Sequence, residues 1–144
     1  MGAEDAHISK ERVEGAEDRV NGVTFDAGGL IALERSNRRV LALVATALED
    51  GDRIVVPATA LAQVIRNPAR QVRLWRLIQW DRTEVVPLDG GYAQAVGALL
   101  ARSGTADIAD AHVVICAQRT GHAVITSDPR DVRRLDPKLR VIAV

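Results

Sequence analysis

The chain has 144 residues, enough for one domain with a real core, and its 19 basic residues balance 19 acidic ones. Zero formal net charge gives no bulk attraction for a polyanion, although charge can still be segregated locally. One cysteine, Cys116, excludes an internal disulfide, and no apolar run approaches the roughly 20 residues of a membrane span, so a cytoplasmic protein is expected. Residues 1–20, MGAEDAHISKERVEGAEDRV, are charged and nearly free of large apolar groups. They predict either a tail that cannot order itself alone or a start codon assigned too early, with Val20 and Val23 just ahead of the first strand. The folded domain is expected over 21–144. VTFD reads as a short strand, GGLIALERSN as the helix leaving it, and RRVLALVATALEDG as a second helix. In that second helix Val40, Leu41, Val44 and Leu48 recur at helical spacing and Gly51 is the stop. RIVVP is a strand running into the helix ATALAQVIRN, which Pro68 breaks before a further helix, PARQVRLWRLIQW. TEVVPL is the third strand, followed by helices DGGYAQAVGALLARSG and DIADAHVVICAQRTG, closed by Gly104 and Gly121. HAVITSD is a fourth strand, PRDVRRL a short helix and LRVIAV a final strand. Strands alternating with helices predict parallel βαβ units: a three-layer α/β/α sandwich around a central parallel sheet of about five strands.

Acids punctuate these boundaries. Asp26 and Asp128 end strands, whereas Asp107 and Asp110, three apart, open an Ala- and Val-rich helix and share one face. Each acid alone has a structural explanation as a helix cap, a turn residue or a first-turn acid. Together they occupy the places that meet in the crevice beyond the carboxyl ends of a parallel sheet. Carboxylates converging there repel one another unless cations hold them, which predicts a divalent metal site. Alternatives fail on particular residues. An aspartyl phosphatase needs a second Asp where Gly28 stands, and a phosphoacceptor receiver needs a late lysine where none precedes Lys138. No glycine-rich nucleotide cradle and no Cys/His cluster is present. His112, alone on an apolar helix, reads as a packed histidine, and mid-helix Cys116 reads as core.

At these residues the sequence resembles the PIN-domain family, and within it the VapC-type toxins of bacterial toxin–antitoxin pairs. The carriers are TFDAGGLIALE, DAHVVICAQRTG and VITSDPRDVRRL, over about residues 23–144. The resemblance implies an endoribonuclease with Mg²⁺ or Mn²⁺ held by Asp26, Asp110 and Asp128. Asp107 is its auxiliary acid, Thr126 or Ser127 orients Asp128 or a bound water, and Asp131 is a further auxiliary. It also implies an RNA substrate, an antitoxin partner, a homodimer and no membrane. The family's second acid, usually a glutamate, falls at Gln63, which keeps an oxygen but lacks the charge. That departure leaves a second reading open, a catalytically weak or inactive PIN-like module that binds RNA or protein. Arg66, Arg70 and Arg73, at spacings of four and three, predict one basic stripe for RNA if the helix runs through Pro68. Trp75 is expected in the core, and Trp80 exposed at a helix end, open to a partner.

Overall fold

The computed structural model describes residues 22–144, so the charged stretch 1–20 lies outside the described residues. Five short strands form one sheet: β1 (Gly22–Phe25), β2 (Arg53–Pro57), β3 (Thr83–Val86), β4 (Ala123–Thr126) and β5 (Val141–Ala143). Their order is β3-β2-β1-β4-β5 and every neighbouring pair is parallel. β1 and β4 are buried along their whole length, which is why they read as unbroken runs rather than as alternating patterns. The helices are α1 (Ala27–Glu34), α2 (Arg38–Asp50), α3 (Ala58–Val64), α4 (Val72–Gln79), α5 (Gly90–Ser103), α6 (Ile108–Thr120) and α7 (Pro129–Leu135). Phe25, Leu30, Ile54, Leu74 and Ile125 are fully buried in the main core, and Cys116 joins a smaller cluster with Val55 and Val86. The expected α/β/α sandwich is the observed one.

Topology fixes where function can sit. The chain builds β1, β2 and β3 outward on one side, then returns to lay β4 on the other side of β1. Phe25 lies opposite Ile125, so β1 and β4 end side by side at the switch point, and Asp26 and Asp128 leave the sheet as neighbours.

The segment after β2 departs from the sequence reading. α3 ends at Val64, Ile65 is extended, Pro68–Arg70 form a single 3₁₀ turn, and non-helical Gln71 precedes α4. Arg66, Arg70 and Arg73 therefore do not share one helix face. Arg66 turns back and donates from its guanidinium to the carbonyls of Ile65 (2.7 Å) and Ala62 (3.3 Å), capping α3. Both tryptophans are partly buried. Trp80 packs one side against the main core and keeps part of its surface open, as expected, whereas the Trp75 indole N–H is buried with no acceptor among the described residues. On α2, Val40 and Ala47 face inward, while Leu41 and Leu48 are 36% and 46% exposed. No described helix is long and apolar enough to cross a membrane.

Candidate active site where beta1 and beta4 end

Three of the helices that begin beyond the carboxyl ends of the strands are capped by acids of the expected set. Asp26 Oδ1 accepts from Gly29 N (2.7 Å), Asp107 Oδ1 from Asp110 N (2.9 Å), and Asp128 Oδ1 from Arg130 N (3.2 Å). The capping explanation thus holds for each of these three acids, which places each at a helix start. Each cap engages Oδ1, and the other carboxylate oxygen is not part of it.

The pair Gly28–Gly29 makes the approach of α1 to β4 possible. A Cβ on Gly28 would lie 2.1 Å from Ser127 Oγ, and one on Gly29 2.4 Å from the backbone oxygen of Ile125. Ser127 can rotate, but the Ile125 carbonyl cannot leave its strand. Gly29→Ala is therefore expected to cost about 1–3 kcal/mol through forced backbone movement, and Gly28→Ala less. Urea midpoints at constant m-value check this; equal losses for the two variants would contradict it.

Thr126 is fully buried and joins two of the acids. Its hydroxyl bonds the Asp26 carboxylate, and its Oγ1 accepts from the Asp128 N–H at 2.9 Å. Ser127, the other candidate for that role, is exposed and abuts the position of Gly28. Burial raises the pKa of Asp26, the Thr126 hydroxyl and the Gly29 N–H pull it back, and the charges of Asp128 and Asp131 raise it further. Asp110 is half-buried and pushed up to about 6, first by burial and then by Asp107, Asp131 and Asp26. Asp131, a further auxiliary acid in the sequence reading, bears on both Asp26 and Asp110, whereas Asp128 acts on Asp26. Its signal was its place in the first turn of α7, three residues after Asp128.

A pocket of about 210 Å³ opens on this cluster, lined by Asp107, Asp110, Asp131, Thr105 and Arg134 among others. Among the described residues no group of three or more His, Cys, Asp or Glu side chains stands close enough to enclose one ion. The donor chemistry nonetheless fits a hard divalent cation. Mg²⁺ needs only one or two carboxylates and keeps several waters, and the unrelieved repulsion around Asp110 is what a cation would remove.

Gln63 is exposed on α3, one turn beyond Thr59. Thr59 Oγ1 hydrogen-bonds His112 Nδ1 at 2.7 Å, which ties α3 to α6 two residues after Asp110. Among the described residues Gln63 has no hydrogen bond to an acid. His112 is fully buried, meets Tyr92 edge-on with ring centroids 5.2 Å apart, and has its pKa lowered by burial, so it is the packed histidine expected. A second concavity lies away from the acids, and Trp80, expected to be open to a partner, is in its wall. This groove of about 330 Å³ runs between α2 and α4, lined by Leu41, Val44, Leu48, Leu77 and Trp80 with Arg73 and Arg76.

Comparison with known proteins agrees with this geometry. No curated protein sequence matches the chain. Among solved structures, the VapBC2 complex of Rickettsia felis bound to a promoter DNA fragment aligns with a TM-score of 0.65 at 14% identity, over 85% of this chain and 98% of that one. FitAB bound to the IR36 DNA fragment aligns at 0.58 and 18% identity, over 84% and 94%. FitAcB from Neisseria gonorrhoeae aligns at 0.54 and 19% identity, over 83% and 96%. At such identities the likeness is one of fold. The sequence model of the PIN domain matches residues 23–137, a span that opens on β1 and carries every acid of the cluster. With acids set at the switch point of a parallel sheet and a family match over most of its length, the chain belongs to the PIN-domain family.

Proposed function

We propose that the protein is a metal-dependent endoribonuclease, the toxin of a toxin–antitoxin pair. The observation that carries the reading is the gathering of acids at the end of β1 and β4, where Asp131 bears on both Asp26 and Asp110 and Asp107, Asp110 and Asp131 line one pocket. Asp26, Asp110 and Asp131, with Asp128 beside them, would hold Mg²⁺ or Mn²⁺. The ion's contribution, when bound, is Lewis acidity toward a phosphate and a water that ionises near neutral pH. The chain's own residues prepare the place. Thr126 bonds the Asp26 carboxylate and the Asp128 N–H, the caps fix Asp107 and Asp128, and buried Ile125 and Phe25 stand behind them. No side-chain nucleophile is required.

The partner reading follows from the groove. An exposed apolar channel carrying two arginines suits an amphipathic segment with acidic flanks, and an antitoxin tail is such a segment. The antitoxin-bound complexes among the fold neighbours support this, and a homodimer in the cytoplasm completes the proposal.

One specific observation favours the second reading, a weak or inactive module. The neutral Gln63 stands on α3 where the family carries an acid. A single assay separates the two. Wild type, Asp26→Asn and Gln63→Glu are incubated with RNA across a Mg²⁺ titration and with chelator. The nuclease reading expects wild-type cleavage that chelator and Asp26→Asn both abolish. Gln63→Glu then extends cleavage to lower Mg²⁺, since one more carboxylate offsets ion dehydration. Cleavage by Gln63→Glu alone would establish the weak module, and chelator-resistant wild-type cleavage would end the metal reading.

A further inference from the structure

The acid pocket contains one cation that the reaction outlined above does not use. Arg134 stands in the last turn of α7, three residues after Asp131, so the two side chains share a helix face. Both line the pocket that Asp107 and Asp110 enter from α6. Arg134 is exposed, and among the described residues it forms neither an ion pair nor a side-chain hydrogen bond, although three carboxylates share its pocket. Its place in the last turn of α7 favours a cation through the helix dipole but leaves the guanidinium fork itself unengaged.

The pocket's charge is divided, with acids toward the α6 N-terminus and the guanidinium at the far end of α7. An RNA strand reaching the acids meets repulsion between its phosphates and the carboxylates, so an approach needs a local cation at the pocket wall. A planar guanidinium matches two phosphate oxygens in a way that a hydroxyl or an amide does not. We propose that Arg134 binds a non-bridging phosphate oxygen pair of the RNA strand next to the acids, and so sets which phosphodiester lies over Asp110 and Asp131. This rests on the reading of the site as RNA-cleaving, and it adds a substrate-binding residue to it.

The test uses the full chain and a fluorescein-labelled single-stranded RNA dodecamer of mixed sequence. Binding is measured by anisotropy in chelator over a salt titration for wild type, Arg134→Gln and Arg134→Lys. Arg134→Gln is expected to weaken binding roughly tenfold, the loss of one charge-assisted bidentate contact. Its log–log salt slope should fall by roughly 0.7, the value for one phosphate on a single strand. Arg134→Lys should regain the slope but not the full affinity, because an ammonium lacks the fork. In Mg²⁺, Arg134→Gln should raise KM more than it lowers kcat. An unchanged affinity and slope in Arg134→Gln would overturn the proposal. So would a lower melting temperature in chelator with an unchanged slope, which would make Arg134 a counter-ion of the acids. Cleavage of the same RNA by wild type and Asp110→Asn runs in parallel. If neither cuts but the Arg134 effects on binding appear, the nuclease reading fails and the phosphate contact stands. If wild type neither binds nor cuts, both fall.

Discussion

Asp110→Asn is expected to melt at a higher temperature than wild type in metal-free buffer at pH 7, while losing metal-dependent cleavage altogether. Asp110 is held at about 6 instead of its ordinary 3.8, by burial and then by three neighbouring carboxylates. A carboxyl whose folded pKa is raised binds its proton more tightly folded than unfolded. Its contribution is favourable at low pH and is lost as pH climbs from about 4 through about 6. At pH 7 the whole penalty is present. The shift bounds it at about 3 kcal/mol, and partial exposure reduces that to about 1–2 kcal/mol, on the order of 5 °C for a domain of this size. His122 works in the opposite direction. It is 4% exposed, bonds the Thr24 hydroxyl at 3.1 Å, and burial pushes it down to about 4. Its charging destabilises the fold as pH falls from about 6.5 toward 4, so the two groups partly cancel in the wild type. Removing Asp110 uncovers the histidine, and stability should then rise more steeply with pH across that window. Melting curves in chelator from pH 4 to pH 8 check both signs. An Asp110→Asn protein no more stable than wild type at pH 7 would mean that neither burial nor the neighbouring acids penalise the Asp110 charge. Added Mg²⁺ should narrow the gap, because binding to the folded state favours the form that keeps its ligand.

The features legible in the sequence were those written in a single residue type at a single boundary. Val23–Phe25 and Ala123–Thr126 are short buried runs that read as strands, and Gly51, Gly104 and Gly121 stop their helices with φ of 68°, 71° and 77°. Asp26, Asp107 and Asp128 were legible because a cap must stand at a helix start, and parallel topology brings helix starts to one edge. What escaped depends on pairs of distant residues. Leu41, Val44 and Leu48 have the spacing of a core face, yet nothing in α2 says that α4 stops short of covering them. That Asp131 bears on both Asp26 and Asp110 depends on how α7 lies against α6, which the spacing along α7 leaves open. The arginine stripe failed for a related reason. Its continuity hung on Pro68, and the break there is reinforced by a side chain three residues further on.

That side chain is Gln71, and its truncation should carry the largest stability loss among the changes considered. Gln71 is 4% exposed, and all of its amide is engaged. Nε2 donates to the Val64 carbonyl at 2.9 Å and to the Glu34 carboxylate, while Oε1 accepts from the backbone N–H of Arg66 (3.1 Å) and Asn67 (3.3 Å). One side chain thus terminates α3, holds the turn into Pro68–Arg70 and pins the end of α1. Gln71→Ala removes the partner of all these groups at once in a part-buried turn, at an expected cost of about 3–4 kcal/mol, a large share of the total for a domain of this size. Gln71→Glu keeps both acceptor bonds but turns a donor into an anion beside Glu34. Its loss at pH 7 should match or exceed that of alanine, then shrink as pH falls through the carboxylate range and one of the two acids takes a proton. The alanine variant has no such relief. Urea unfolding at pH 7 and pH 4 distinguishes them, and a loss below about 1 kcal/mol for Gln71→Ala would show that water satisfies the loop in its place. Because α4 begins at Val72, loosening this staple should also weaken binding in the groove between α2 and α4 with none of its lining residues changed.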